Sequence, residues 1–385
     1  MTKVGIDKIG FYVPHHYLAL STLAERQGID PVKYARGIGQ SKIAMPTHDE
    51  DVVTLAAEAA AKVVAEEDVE TIDTVLFATE TGIDQSKAAG VYVHELLQLP
   101  RRCRVVELKH ACYSGTAALQ LACGHVTRKP ERKVLVIASD ISRYDLETAA
   151  EATQGCGAVA MLVSADPRLL EIDHASGCYS EDIMDFWRPN YRDTPLVDGK
   201  YSTIKYLHAL TGAWQDYVEN GGRAFNEFAH FCYHLPFTRM GSKAHRHLST
   251  LNEAQNNPAL VEPGFVYNRE VGNCYAASLY LSLVSMLENV EADLAERPLG
   301  LFSYGSGAVA EFFSATVRPG YKDWLFTTEH QQLLEDRIAV SYATYEKMWH
   351  RPDPRDGTAH IMPCDARGRY RLARIDDHKR HYEAA

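Results

Sequence analysis

The chain has 385 residues, of which 46% are hydrophobic and 24% charged, enough to bury a large core in two closely joined halves. A formal net charge of −11 argues against a nucleic-acid partner and leaves any anionic ligand to local lysine or arginine. No apolar run reaches the length of a membrane span, since the best one, residues 279–287, is broken by Tyr280, Ser282 and Ser285. The opening MTKVGIDKIGFYVP lacks the basic and apolar regions of a signal peptide. Eight cysteines without paired spacing point to free thiols in a reducing cytoplasm.

In chain order, VGIDKIGFYV predicts an opening strand, followed by helices near residues 20–28 and over residues 51–66, where DVVTLAAEAAAKVVAEE carries an apolar stripe with flanking acids. TVLFATE (74–80) reads as a strand, KAAGVYVHELLQL (87–99) as a helix and the β-branched RVVEL (104–108) as a strand. SGTAALQLACGHV (114–126) has the Ala/Leu content of a buried helix. KVLVIASD (133–140) and the run 156–163 complete a first half, and a second resumes near residue 170. Segment 179–202 is aromatic and charged without a period, which predicts a loop that lines a pocket. The tail from Arg351 starts as loop, and RYRLARIDD (369–377) predicts a last edge strand.

Cys112 falls where strand 104–108 gives way to helix, beside the unpaired N–H groups and the positive end of the macrodipole. That position predicts a lowered thiol pKa, a nucleophilic thiolate and N–H donors for a thioester oxyanion. The chain also repeats itself. CYSGTAALQLA from Cys112 is echoed by CYAASLYLSLVSM from Cys274, and Gly155 and Gly305 each open a G-x-G-A-V-A run. Two strand-like runs end in titratable residues, Glu80 and His234. The three pairs share one order, which predicts two similar α/β halves, residues 1–165 and 166–385, with Glu80, Cys112, His234 and Asn273 at matched strand ends around one cleft.

With these motifs the chain resembles the bacterial 3-hydroxy-3-methylglutaryl-CoA (HMG-CoA) synthases, members of the thiolase-fold condensing enzymes. The resemblance spans nearly the whole length through GIGQ (37–40), VLFATETG (75–82), ELKHACYSG (107–115), ASDISRY (138–144), TQGCGAVAM (153–161), DFWRP (185–189) with LVDG (196–199), HLPFTRMG (234–241) and LFSYGSGAVAEF (301–312). It implies a five-layer αβαβα core, a homodimer, and condensation of acetyl-CoA with acetoacetyl-CoA and water in the mevalonate route. It further implies that Cys112 carries the acetyl group, Glu80 is the general base and His234 the catalytic histidine. Asn273 then orients that ring, and Ser306 lies in the loop over the reacting acyl group. Asp30, Thr153, Ser202 and Lys243 match family positions that contact the CoA substrate.

The chemistry explains the combination. A thioester methyl is a far weaker acid than any side chain, so the carbanion needs a carboxylate whose pKa is raised by an apolar pocket, and an oxyanion hole near Cys112 and Ser306. His234 is expected to bind the acceptor ketone and protonate the developing alkoxide. The partners expected are small-molecule CoA thioesters, with no nucleic acid, membrane, metal or resident cofactor. His245-Arg-His247 lacks metal-ligand spacing. The alternatives are a carrier-protein-dependent HMG synthase of polyketide β-branching, an initiating ketoacyl-ACP synthase and an inactive thiolase-like scaffold. Glu80 and the DFWRP–LVDG insertion disfavour the second, and the intact catalytic positions the third.

Overall fold

The β-branched runs of the sequence pair into one nine-stranded sheet in a computed structural model that describes residues 2–350 and 353–384. Numbering only the strands of this sheet, they are β1 (Val4–Tyr12), β2 (Ile72–Ala78), β3 (Arg104–Leu108), β4 (Lys133–Ile141), β5 (Cys156–Ala165), β6 (Leu170–Ser180), β7 (His230–Tyr233), β8 (Pro298–Gly305) and β9 (Val309–Val317). Their spatial order is β7-β8-β9-β6-β1-β5-β4-β2-β3. The internal repeat is visible in the pairing. β2 runs parallel to β4, which runs antiparallel to β5, which runs antiparallel to β1. β7, β8, β9 and β6 repeat that order and those directions. The two sets join where Gly5 and Ile6 of β1 meet Glu171 and Leu170 of β6. A Cβ on Gly5 would lie 2.0 Å from the Leu170 carbonyl oxygen, so only glycine allows this junction.

Five helices cover the sheet. They are α1 (Val52–Val63), α2 (Ser114–Arg128), α3 (Gly199–Glu219), α4 (Thr238–Leu251) and α5 (Ser278–Asn289). α1 starts at Asp51, whose carboxylate accepts from the Val53 and Thr54 N–H groups while Thr54 Oγ1 accepts from the Asp51 N–H, a capping box that fixes the first turn. It packs on β1, β4 and β5; α2 packs on β2, β4 and β5; α5 packs on β7 and β8; α3 packs on β6 and β9. α2 and α5 meet at Gly115, where a Cβ would stand 2.8 Å from the Ala276 carbonyl oxygen, and Thr116 Oγ1 bonds Tyr280 Oη at 2.8 Å. Residues 278–287 of α5 are all buried, as expected of a helix with protein on every side. The order of layers is therefore α1, sheet, α2 with α5, sheet, α3, a thiolase-like αβαβα core.

Two expectations are corrected. The 179–202 segment is not a plain loop: Phe186–Trp187 and Leu196–Val197 form a small antiparallel pair, and α3 begins at Gly199 because Asp198 caps it by accepting from the Tyr201 N–H. RYRLARIDD supplies Tyr370–Asp376, which is the middle rather than the edge strand of a small sheet with His360–Ile361 and Lys379–Ala384. The hairpin partner is KRHYEA, whose Tyr382 hydroxyl reaches Asp51. Residues 351 and 352 of the tail lie outside the described residues.

Candidate active site

Asp140 at the end of β4 builds the turn that carries Glu80. Its Oδ1 accepts from Thr79 Oγ1 at 2.8 Å, Glu80 N at 2.9 Å, Thr81 N at 3.1 Å and Thr81 Oγ1 at 2.7 Å, and its Oδ2 from Ala276 N at 3.0 Å. One buried carboxylate thus binds the end of β2 to the segment that leads into α5. Cys112 sits two residues before α2, after Ala111 adopts a left-handed φ of 41° that reverses the chain out of β3. The Cys112 thiol donates to Glu80 Oε1 at 3.2 Å. Loss of water on burial, then the charge of Asp140, pushes Glu80 up to about 8, against the smaller opposing effects of the Cys112 hydrogen bond and Arg188.

The predicted lowering of the Cys112 pKa is overturned. Burial first, then Glu80, Asp140 and Asp185, push the thiol well above its ordinary value. About half a positive charge at a helix end does not offset partial burial and three carboxylates. The resting thiol therefore keeps its proton, directed at a carboxylate whose own proton affinity has been raised towards that of a thiol.

His234 follows β7 and extends the ladder by donating its N–H to the Phe302 carbonyl at 2.8 Å, while Tyr206 Oη donates to the His234 carbonyl at 2.8 Å. Burial pushes the ring down to about 3, so it is a neutral imidazole. Its Nδ1 has no hydrogen-bond partner among the described residues. Asn273 Oδ1 accepts from Tyr275 N and Ser278 Oγ, both at 2.9 Å. The Asn273 side chain shapes the turn into α5 and hydrogen-bonds Tyr144.

The loop between β8 and β9 crosses directly over the cysteine turn: a Cβ on Gly305 would lie 2.7 Å from the His110 carbonyl oxygen and from Tyr113 N and Cβ. Ser306 hydrogen-bonds the Tyr304 hydroxyl. Asp185 anchors the loop, accepting from Gly307 N at 2.9 Å, Tyr304 Oη at 2.8 Å and Ser202 Oγ at 2.9 Å. Gly307 N and Tyr113 N, which donates to His110 O, are thereby occupied. Of the residues matched to CoA contacts, Ser202 and Thr153 reach the site's frame: Thr153 O accepts from Asn273 N at 3.2 Å. Asp30 and Lys243 are exposed, and the segment after Asp30 abuts α4 where Arg239 N donates to Ile38 O at 2.9 Å.

Sequence reasoning assigned no role to Asp140, Asp185, Arg188, Tyr144 or Tyr275. The signal for Asp140 and Arg188 was their place in ASDISRY and DFWRP, charged residues at strand ends. Tyr144, Phe186 and Tyr275 close a triangle of rings, with centroids 6.2, 6.4 and 5.8 Å apart. A cleft of about 1370 Å³ opens on the Glu80 side, lined among others by His110, Arg143, Arg188 and Trp349.

Comparison with known proteins matches the chain to the family models for the hydroxymethylglutaryl-coenzyme A synthase N terminal over residues 1–168 and C terminal over residues 170–262 and 253–385. The hydroxymethylglutaryl-CoA synthase of Enterococcus faecalis is 44% identical over 349 residues, 90% of this chain and 91% of that protein. The polyketide biosynthesis 3-hydroxy-3-methylglutaryl-ACP synthase of Bacillus subtilis is 32% identical, over 91% of this chain and 88% of that protein. A crystal structure of an HMG-CoA synthase complexed with CoA superposes with a TM-score of 0.95 at 41% identity, covering all of both chains. With a duplicated condensing-enzyme sheet, a half-buried Cys–Glu pair and these likenesses over both halves, the chain belongs to the hydroxymethylglutaryl-CoA synthase family.

Proposed function

We propose that Cys112, Glu80 and His234 divide the synthase reaction as follows. The chain condenses acetyl-CoA with acetoacetyl-CoA and water to (3S)-3-hydroxy-3-methylglutaryl-CoA and free CoA, a step of the mevalonate route. The Cys112 sulfur attacks the acetyl thioester as its proton passes to Glu80, and CoA leaves as the thiol; the 3.2 Å contact between Cys112 and Glu80 carries this reading. Glu80, ionised again, takes a proton from the acetyl methyl group, and the carbanion bonds to the ketone carbon of acetoacetyl-CoA. Neutral His234 acts as an N–H electrophile on the ketone oxygen and gives it the proton of the hydroxyl, and the methyl proton held by Glu80 then restores the imidazole, leaving Glu80 ionised. With Tyr113 N and Gly307 N already occupied, the N–H groups of Cys112 and Ser306 themselves are the candidates for the oxyanion hole. Water then cleaves the Cys112 thioester. Side-chain acid–base and thioester chemistry complete the cycle without a resident cofactor.

The frame divides into halves 1–165 and 166–385. The edge strand β3 supports a homodimer, because no strand among the described residues pairs with its outer side and Val106 is 40% exposed along it, with Leu121 of α2 56% exposed. All eight cysteines are free, which fits a reducing cytoplasm, and no helix among the described residues is long and apolar enough to cross a membrane.

The test mixes protein with both CoA thioesters and follows loss of the acetoacetyl enolate absorbance. With acetyl-CoA alone, wild type should gain one hydroxylamine-labile acetyl group on Cys112, and Cys112→Ser should gain none. Turnover confined to carrier-bound acetoacetyl substrate would replace this reading with the carrier-dependent one.

A further inference from the structure

The DFWR segment is fastened to three parts of the molecule within four residues. Asp185 is buried and holds Ser202, Tyr304 and the Gly307 N–H. Phe186 completes the ring triangle with Tyr144 of the first half and Tyr275 of the second. Arg188 lies two residues further along a short extended stretch, a spacing that returns it to the side Phe186 faces. Its Nη2 donates to the Glu80 carbonyl oxygen. The Glu80 peptide is thus held at both ends, its N–H by Asp140 at 2.9 Å and its C=O by Arg188. The two anchors come from opposite halves of the chain.

We propose that Arg188 is a positioning residue of the condensation: it ties the insertion of the second half to the Glu80 turn, keeps the carboxylate in register with Cys112 and faces it with a positive charge. This rests on Glu80 being the base. Glu80 is faced by Cys112, Asp140, Tyr144, Tyr275 and Arg188; burial and Asp140 oppose its ionised form, and the Cys112 hydrogen bond and then Arg188, the one positive charge of the set, favour it. Arg143 lies near Arg188 and has Asp193 and Asp353 as its own counter-charges. Since a base must be ionised, Arg188 extends activity to lower pH. An opposite charge facing a carboxylate lowers it by about one unit at the small end of the effect, which is where Arg188 stands, the least of the four influences on Glu80.

The experiment follows kcat/KM against pH in Arg188→Gln, Arg188→Met and Arg188→Lys of the full chain, with thermal melting as the folding control. The two neutral variants should move the acid limb up by about one pH unit, lose about tenfold at neutral pH and recover towards wild type on the alkaline side. Arg188→Lys keeps the charge and should keep the limb, with a smaller loss from its point-like donor. A limb that stays in place in a folded neutral variant overturns the proposal. So does an equal loss at every pH that lysine does not rescue, which is the mark of a merely structural role. Glu80→Gln, measured alongside, should abolish the limb. If it does not, the assignment of the base fails, an outcome distinct from any result at Arg188.

Discussion

Replacing Gly305 by alanine tests whether the loop between β8 and β9 and the cysteine turn must touch for acyl transfer. The added Cβ would lie 2.7 Å from three fixed atoms, His110 O, Tyr113 N and Tyr113 Cβ, whereas ordinary contact begins at 3.4 Å, so the two segments must part by about 0.7 Å. Neither side yields freely. β8 is held by ladders to β7 and β9, and Tyr113 directly precedes α2. Overpacking of this kind costs about 1–3 kcal/mol. A displacement approaching 1 Å at reacting groups costs about 10²-fold in rate, so acetylation of Cys112 should fall by about 10–10²-fold. The assay is the time course of acetyl-enzyme by mass spectrometry, with melting temperature in parallel. Gly124→Ala on the same helix is the control: nothing lies within 4 Å of its Cβ, so it should leave rate unchanged and gain about 0.4–1 kcal/mol of stability. A Gly305→Ala enzyme that acetylates and melts like wild type would refute the reasoning.

Two more expectations follow from the site and its edge. Condensation should climb as pH rises through about 8, where Glu80 loses its proton, and Glu80→Gln should remove both that limb and about 10²–10⁴-fold of turnover. Because the folded pKa of Glu80 is raised, the fold loses stability as pH rises from the ordinary carboxylate range towards 8, and Glu80→Gln should melt higher than wild type in alkaline buffer. Val106→Lys on β3 should convert a dimer to monomers by sedimentation while melting within about 0.5 kcal/mol of wild type, since the side chain is 40% exposed. A dimer that survives this change does not pair through β3.

The internal repeat was legible in the sequence because strand ends carry chemistry: Glu80 and His234 close matched strands, and the Gly-x-Gly runs mark matched turns. Cys112 was legible for the same reason, at a strand-to-helix join. Its charge state was not. Local position gives the helix dipole, but the opposing carboxylates Asp140 and Asp185 arrive from 28 and 73 residues downstream, and only the folded sheet places them beside the thiol. The local bonds of Asn273 were not legible either: its oxygen is satisfied within five residues of itself, at Tyr275 N and Ser278 Oγ. The short strands inside 179–202 escaped because two-residue strands have no period to read.

β1 has a consequence for synthesis. It is the first strand made and lies at the centre of the sheet, yet its partners are β5 and β6, some 150 residues later. At ribosomal speed an apolar strand waits on the order of 10 s for its neighbours, with both edges open to other chains. Asp7 and Lys8 stand in the middle of it. While the strand waits, that adjacent pair of charges hinders stacking with another copy. Once β5 and β6 arrive, the same residues are buried, Lys8 against Asp68 at 2.9 Å and Asp7 against Arg168, which lies in the turn between those two late strands. A guard against aggregation in the nascent chain thus becomes a latch in the finished one, and its Asp7 half is closed by Arg168, a residue whose arrival ends the risk.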